Sequence, residues 1–480
     1  MVQLITDAPQ YTNDIAEEIR MFFGMVPITE TKEPDTALSL SVTLDRAAQT
    51  AYAFVLPDGA PVTVSYTVDH SDPLDTKRQE KRALKRAAYA LLQQIRPTEM
   101  PWGSLTGIRP TKLLRELCAR VGEREAVRQF QEVFSVRADK LRLAATINAV
   151  QKSILDSVQP NDLDVYIGIP YCKTRCLYCS FGAELLKPNA VEEYLPFLFR
   201  DIENGARLAH EGGYHVRALY IGGGTPTVLN AAQLDALLTH YENTYKSYGL
   251  ESTVEAGRPD TITEEKLNVL KAHGVGRISI NPQSMSDETL RRIGRMHTAA
   301  QIKEAYETAR RLGFASINMD LIAGLPGETV ADMEQTLSEI KSLRPDNLTV
   351  HTLAIKRSSR LIDRLEQYPL PKREDVETMI EMGFKAAREI GLWPYYMYRQ
   401  KYQNGNLENV GYAADDRLCI YNIDMMEETT SILAHGAHAM TKRVFTGQNR
   451  VERIPNPKDV STYGEKLAAL DRQKRALFLP

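Results

Sequence analysis

From Asp164 onward the chain alternates short apolar, β-rich runs with longer helical patterns, and repeated βα units around a parallel sheet accommodate that alternation. Runs at residues 165–169, 218–221, 252–256, 277–280, 316–322 and 348–353 read as six strands. Helical patterns at 191–209, 232–245, 264–272, 302–312 and 330–342 fill the intervals, and Gly257, Gly274, Gly313 and Pro345 punctuate the chain as breaks. Six strands in this order predict an α/β fold with a partial (β/α)6 barrel over 161–356.

Residues 1–160 have a different character and predict an N-terminal α+β domain. A helix is expected at 13–23, with β-rich runs at 38–44 and 51–56. Pro57-Asp58-Gly59 is a turn signal that joins the second run to 61–68, so a small antiparallel sheet is expected. A basic helix follows at 77–95, and its charge run 77–85 reads as a solvated face. After Lys356 the alternation stops. A helix at 374–390 leads into Trp393-Pro394-Tyr395-Tyr396-Met397-Tyr398-Arg399-Gln400 and a mixed tail, so 357–480 reads as a C-terminal cap.

Directly after the first barrel strand stands Tyr171-Cys172-Lys173-Thr174-Arg175-Cys176-Leu177-Tyr178-Cys179. In a parallel barrel, functional groups collect where strands end. Three thiolates on one short loop cover three irons of a 4Fe–4S cube and leave the fourth open to a non-protein ligand. A structural zinc site would want a fourth Cys or His, and none follows up to Glu184. Only Cys118 and Cys419 lie outside this loop, so a disulfide scaffold is not expected.

Lys plus Arg (59) nearly balances Asp plus Glu (62), and the net charge of −3 gives no electrostatic case for nucleic acid or an anionic membrane. No apolar stretch reaches spanning length, and the opening residues lack the basic and apolar segments of an export signal. A reducing cytoplasm is the expected location.

The spacing C-x3-C-x2-C after a strand resembles the radical S-adenosylmethionine (SAM) superfamily. In that superfamily the amino and carboxylate groups of SAM chelate the open iron, and an electron from the cube cleaves the sulfonium to a 5′-deoxyadenosyl radical. Ile221-Gly222-Gly223-Gly224-Thr225-Pro226 ends the second strand and resembles the segment that receives the SAM amino group, because glycines let backbone amides approach a ligand. Later strand ends supply Glu255, Gln283 and Asp320, with Arg295 on a connection. A carboxylate can hold ribose hydroxyls, and an Arg or Gln a SAM carboxylate.

In order, these residues resemble the oxygen-independent coproporphyrinogen III oxidase (dehydrogenase) family from Tyr166 to about Ala354. The resemblance implies a 4Fe–4S cluster on Cys172, Cys176 and Cys179, and two SAM molecules. Tyr166, Gly223 and Glu255 fall at positions that contact the cluster-bound SAM. Tyr178, Gly224, Thr225, Gln283, Arg295, Asp320 and Ala354 fall at those for the second. The stretches 101–112, 395–401 and Gly405-Asn406-Leu407-Glu408-Asn409-Val410-Gly411-Tyr412 resemble the HemZ-like branch. The implied reaction is oxidative decarboxylation of two propionates of coproporphyrinogen III to vinyls. A tetrapyrrole substrate and an electron donor such as flavodoxin or ferredoxin are the implied partners.

Two departures bear on activity. Phe181 stands where the dehydrogenase branch has a fourth cysteine, as it also does in the haem-chaperone branch, and Gly168 stands where the strand usually carries His. Haem binding without decarboxylation, or radical chemistry on another tetrapyrrole, are therefore the alternative readings. For haem, His297, His351, His435 and His438 are candidate ligands, with His435-Gly436-Ala437-His438 the most suggestive pair. Arg357, Arg399 and Lys401 are candidate anchors for substrate carboxylates.

Overall fold

The computed structural model describes every residue except Pro73, Ile108, Phe181, 247–250, Arg357, 401–403, Asn449 and Pro480. The expectations attached to Phe181, Arg357 and Lys401 therefore lie outside the described residues. The chain forms two compact units, Met1–Ala145 with Arg399–Leu407, and Thr146–Tyr398 with Glu408–Pro480.

In the first unit, strands Leu38–Asp45, Thr50–Val55 and Val62–Ser65 pair antiparallel, as the turn at Pro57-Asp58-Gly59 implies. The sheet is nevertheless mixed, because Val2–Ile5 and Ile28–Thr29 extend it with parallel pairing. Helix Thr12–Phe23 lies between Val2–Ile5 and its partner Leu38–Asp45, and a helical crossover returns the chain in the same direction. Ile15, Ile19 and Phe22 of that helix and Leu84, Ala87 and Leu91 of Asp75–Ile95 belong to one core with Leu40, Val42 and Ala53. The basic run is only partly a solvated face, since Lys85 meets the buried Glu18 at 3.2 Å.

The second unit is built on an open eleven-stranded sheet. Its centre is six parallel strands in chain order: β1 (Asp162–Ile169), β2 (His215–Gly223), β3 (Glu251–Gly257), β4 (Arg277–Ile280), β5 (Ser316–Ala323) and β6 (Asn347–Thr352). Helices α1 (Ala190–Glu211), α2 (Ala231–Tyr245), α3 (Glu264–Ala272), α4 (Ala299–Arg311), α5 (Val330–Leu343) and α6 (Arg373–Glu389) follow the strands in turn. Asn230, Thr263, Thr298 and Thr329 cap four of these helices by accepting a first-turn amide. The sheet does not close, consistent with a partial barrel.

The region expected as a cap joins both ends of this sheet. Strands β7 (Trp393–Tyr398) and β8 (Asn409–Ala413) add antiparallel beside β6. Strand β9 (Ser431–His435) runs parallel to β1, and β10 (Met440–Phe445) and β11 (Arg450–Pro455) continue from it as antiparallel neighbours. Helices α7 (Ile420–Glu427) and α8 (Val460–Phe478) complete the unit. Along β1 the period of two sends Val165, Ile167 and Ile169 into the core, while Tyr166 and Gly168 take the other face.

At the N-terminal ends of the strands, buried Arg217 donates to Asp424 at 2.7 Å, to Asp162 at 3.4 Å and to the carbonyl of Ile154 at 2.8 Å. Neighbouring Asp164 is fully buried with no hydrogen bond to either oxygen, and burial, reinforced by Asp424, pushes its carboxyl well up. Removing the cation Arg217 from such a cluster leaves buried negative charge unbalanced. Arg217→Met should therefore destabilise the protein by about 3–5 kcal/mol, read as a lower urea midpoint at unchanged slope.

Candidate functional site

The cysteine loop is held from outside rather than by structure of its own. Its two ends are tied where Tyr171–Cys172 pairs with Glu184–Leu185, with Glu184 N–H donating to Pro170 at 2.7 Å and Leu186 N–H to Cys172 at 2.9 Å. In the middle, Leu177 N–H donates to the Ile293 carbonyl at 2.9 Å, and Leu361 N–H donates to the Leu177 carbonyl at 3.0 Å. Thr174 Oγ1 donates to the Gly294 carbonyl at 3.0 Å. Buried Arg258, just beyond β3, donates to the Thr174 carbonyl and hydroxyl at 3.1 and 2.6 Å, and is itself held by both oxygens of Asp260.

Cys176 is buried, while Cys172 and Cys179 are partly accessible, and none of the three is joined in a disulfide. Burial raises the Cys172 thiol, and Thr225, whose Oγ1 lies 3.5 Å from the sulfur, works in the opposite direction. Among the described residues no group of three or more His, Cys, Asp or Glu converges as a single metal ion would need. A cube makes a different demand, because each thiolate takes its own iron.

The glycine turn after β2 is packed directly on this loop. A Cβ on Gly224 would stand 2.4 Å from the Tyr171 carbonyl oxygen, and Gly223 has φ +108°. Two amides of this turn are already occupied within the protein, while that of Gly223 reaches the Glu255 carboxyl. Gly224 N–H already donates to Ile169 at 2.7 Å, and Thr225 N–H to Tyr171 at 2.8 Å. The use of these glycines is close approach of two backbone segments, which fixes Thr225 against Cys172.

On one face of the sheet, the strands present a row of polar side chains. Tyr166 and Tyr220 stack at 6.2 Å, Tyr421 of α7 stacks on Tyr220 at 4.5 Å, and Tyr220 O–H donates to Glu255 at 2.6 Å. Burial pushes the Glu255 carboxyl up to about 7 and Asp320 adds to this, while the Tyr220 hydroxyl, the Gly223 amide and His351 pull it back. Burial alone would also raise Asp320, but His351, Asn318 and Thr349 outweigh it and hold that carboxyl below its ordinary range. His351 Nε2 lies 3.7 Å from Asp320, and its Nδ1 lies 3.2 Å from the Tyr398 hydroxyl.

Gln283 lies beyond the end of β4 with φ +67°, its N–H donating to the Asp320 backbone carbonyl at 2.8 Å and its carbonyl accepting from the Ile322 N–H at 3.0 Å. Buried Arg295 donates to the Asn281 carbonyl and reaches both Tyr178 and Cys176. Burial opposes the charge of Arg295, yet Tyr178 and Cys176 raise its pKa. Ala354 is a half-buried residue just after β6. The structure thus brings together Tyr166, Gly223 and Glu255, and separately Tyr178 and Arg295 at Cys176, with Thr225 at Cys172 and Gln283 beside Asp320. Tyr220, Arg258, His351 and Tyr398 escaped the sequence reading as members of this array. Tyr220 carries a signal, since it registers opposite Tyr166.

A side chain at Gly168 would be tight, because a Cβ there would lie 3.3 Å from the Tyr166 ring and 3.4 Å from the Ala437 carbonyl oxygen. His435 is a buried core histidine bonded to Tyr245 at 2.7 Å and close to Asp201, so it is not presented to a ligand. His438, three residues on, is half-buried with its ring against Gly182, just after the cysteine loop. Buried His297 has both ring nitrogens without a hydrogen bond and lies 3.7 Å from Asp260. The expectation of Arg399 as a substrate anchor is corrected. It is buried in the first unit, where it donates to the carbonyls of Leu105, Gly107 and Asn406.

The chain matches the Radical SAM superfamily over residues 166–340. It is 40% identical over 399 residues to the oxygen-independent coproporphyrinogen-III oxidase-like protein HemZ of Bacillus subtilis, covering 81% of this chain and 79% of that one. The heme chaperone HemW of the same organism is 32% identical over 48% of this chain and 61% of its own. Coproporphyrinogen III oxidase (HemN) from Escherichia coli shares the fold, with a TM-score of 0.53 at 23% identity over 66% of this chain and 72% of that one. The chain therefore belongs to the coproporphyrinogen-III oxidase-like family of the radical SAM superfamily, whose members use a 4Fe–4S cluster and SAM. Among the described residues no helix is long and apolar enough to cross a membrane.

Gly224→Ala should lower the iron and sulfide taken up on reconstitution while leaving the far-ultraviolet circular dichroism unchanged, because the added methyl has only backbone to displace. For Glu255, the folded state keeps a proton that the unfolded chain loses between its ordinary value of 4.5 and about 7. Stability contributed by this group is present below that window and falls as pH rises through it. Glu255→Gln should remove the fall, so its urea midpoint should gain on the wild type more at pH 8 than at pH 5.

Proposed function

We propose that the protein is a radical SAM enzyme that oxidatively decarboxylates porphyrinogen propionates, converting coproporphyrinogen III to protoporphyrinogen IX. The observation that carries this reading is the row of Tyr220, Glu255, Asp320 and His351 on one sheet face, joined to the cysteine loop through the glycine turn, with Tyr178 and Arg295 at Cys176. Its residue types suit two charged nucleosides beside an organic substrate. The 40% identity to a coproporphyrinogen-III oxidase-like protein supports the same class of substrate.

Cys172, Cys176 and Cys179 would hold the cluster, which when bound supplies the electron that cleaves SAM. Glu255, oriented by the Tyr220 hydroxyl, accepts ribose hydroxyls of one SAM, and Asp320 and Arg295 hold a second. His351 and Tyr398 offer N–H and O–H donors on the same face. The balance of the reaction is simple. A hydrogen atom would pass from the propionate β-carbon to the 5′-deoxyadenosyl radical, giving 5′-deoxyadenosine. The bond to the carboxylate then breaks with release of CO2, one electron passes to an external one-electron acceptor, and a vinyl group remains.

A haem-binding role is the second reading, favoured by His438, whose ring lies beside the loop while His435 is locked away. Under strict anaerobiosis, reconstituted protein with dithionite, SAM and coproporphyrinogen III should release 5′-deoxyadenosine and CO2, and mass spectrometry should find the divinyl product. No CO2 from a protein whose cluster still responds to SAM by electron paramagnetic resonance would overturn decarboxylation. A Soret band on haem titration that is lost in His438→Ala would then establish the second reading.

A further inference from the structure

We infer that the outer rim of the cysteine loop, formed by Lys173, Arg175, Met296 and Arg360, is a docking surface for an acidic one-electron carrier protein. The inference rests on the radical SAM reading, since a cluster that cleaves SAM must be reduced from outside. The path to solvent at this rim is short. Lys173 directly follows the ligand Cys172 in the chain, and its side chain is 57% exposed. Thr225 and the glycine turn pack on Cys172 and Tyr171 at the start of the loop, whereas Lys173 and Arg360 are exposed.

Contacts gather the four residues around the loop. Arg175 donates to the Ser358 carbonyl at 3.0 Å, and Ser358 Oγ donates to the Ser180 carbonyl at 3.3 Å. Exposed Arg360 lies between Ser358 and Leu361, whose amide donates to Leu177. Met296 follows Gly294 and Arg295, both packed on the loop, yet is 70% exposed beside buried neighbours. Acidic groups nearby do not cancel this charge. Asp260, 3.8 Å from Lys173, is held by Arg258, and exposed Asp363 is followed by exposed Arg364. The whole chain carries a net charge of −3, so a local cationic rim is not a by-product of composition.

Electrostatic complementarity of this kind acts mainly on the encounter rate and weakens with salt, as suits a transient electron-transfer contact. An exposed methionine among the charges adds an adaptable apolar contact. The test uses the reconstituted full chain in stopped flow, reduced either by photoreduced flavodoxin or by dithionite. Flavodoxin-driven reduction should slow with added salt, and Arg360→Glu with Lys173→Glu should slow it about tenfold or more at low salt. Dithionite-driven reduction should stay unchanged in the same variants.

Should Lys173→Glu impair cluster loading, Arg360→Glu alone and Met296→Ala carry the comparison, since both are exposed residues outside the cysteine loop. Equal flavodoxin rates in wild type and Arg360→Glu would overturn the docking surface, as would a rate independent of salt or no reduction of the wild type by flavodoxin. A wild-type protein that binds no cluster at all would instead overturn the radical SAM reading beneath it.

Discussion

Everything chemical in this molecule depends on hydrogen bonds made to the backbone of one loop. Ordering a residue costs about 1–2 kcal/mol in backbone entropy, so a cysteine loop without regular structure needs that ordering supplied by its neighbours. They supply it from three directions: Ile293 accepts from Leu177, Leu361 donates to Leu177, and Arg258 grips Thr174. The glycine turn after β2 closes the fourth side, with Thr225 N–H on Tyr171. Each of these partners lies on the connection that follows a different strand, so the spacing of the three sulfurs is inherited from the order of the sheet.

The same sheet face explains why two carboxyls in one site behave oppositely. Glu255 and Asp320 are both recessed from solvent, and burial by itself favours the neutral form of each. Asp320 is drawn back to the charged form by His351, Asn318 and Thr349, whereas the donors to Glu255 only partly offset its burial and Asp320 repels its charge. One group is then a standing anion and the other sits near neutrality. Titratable groups pushed apart by their surroundings are a mark of functional sites, whatever ligand occupies them.

The six barrel strands and their helices were legible because a strand buried on both faces must be an apolar run, and a helix that covers it must repeat every three to four residues. The polar residues of the site were legible only through resemblance to a known family, because each taken singly could be a solvated surface group. What escaped was set by long-range partners. Val2–Ile5 is four residues long and acquires its meaning only from Leu38–Asp45. Strands β7 to β11 read as a mixed tail because their pairing depends on sheet edges made far earlier in the chain. Arg399 looked like a free cation, but its carbonyl partner Leu105 is distant in sequence. His435 and His438 look equivalent on paper, and only packing separates a core residue from one beside the loop.

That tail has a physical reason to be there. In a bare six-stranded sheet, β1 would be an edge strand, and edge strands present unpaired backbone groups and slip readily. Here β1 also carries the cysteine loop, so any slip would move all three thiols. Strand β9 pairs along Ser431–His435 and turns β1 into an interior strand. The new neighbour is in turn pinned by a buried group in which Lys474 of α8 donates to Asp201 of α1 and to the Ala434 carbonyl, both at 2.8 Å, while Asp201 also accepts from Tyr463 at 2.7 Å. A buried ion pair is a poor source of net stability, because desolvation offsets its attraction. Its directional bonds have a different value, since they are satisfied in one register only. Placing that costly group behind β9 rather than elsewhere makes sense if what must be specified is the position of the strand that presents the loop.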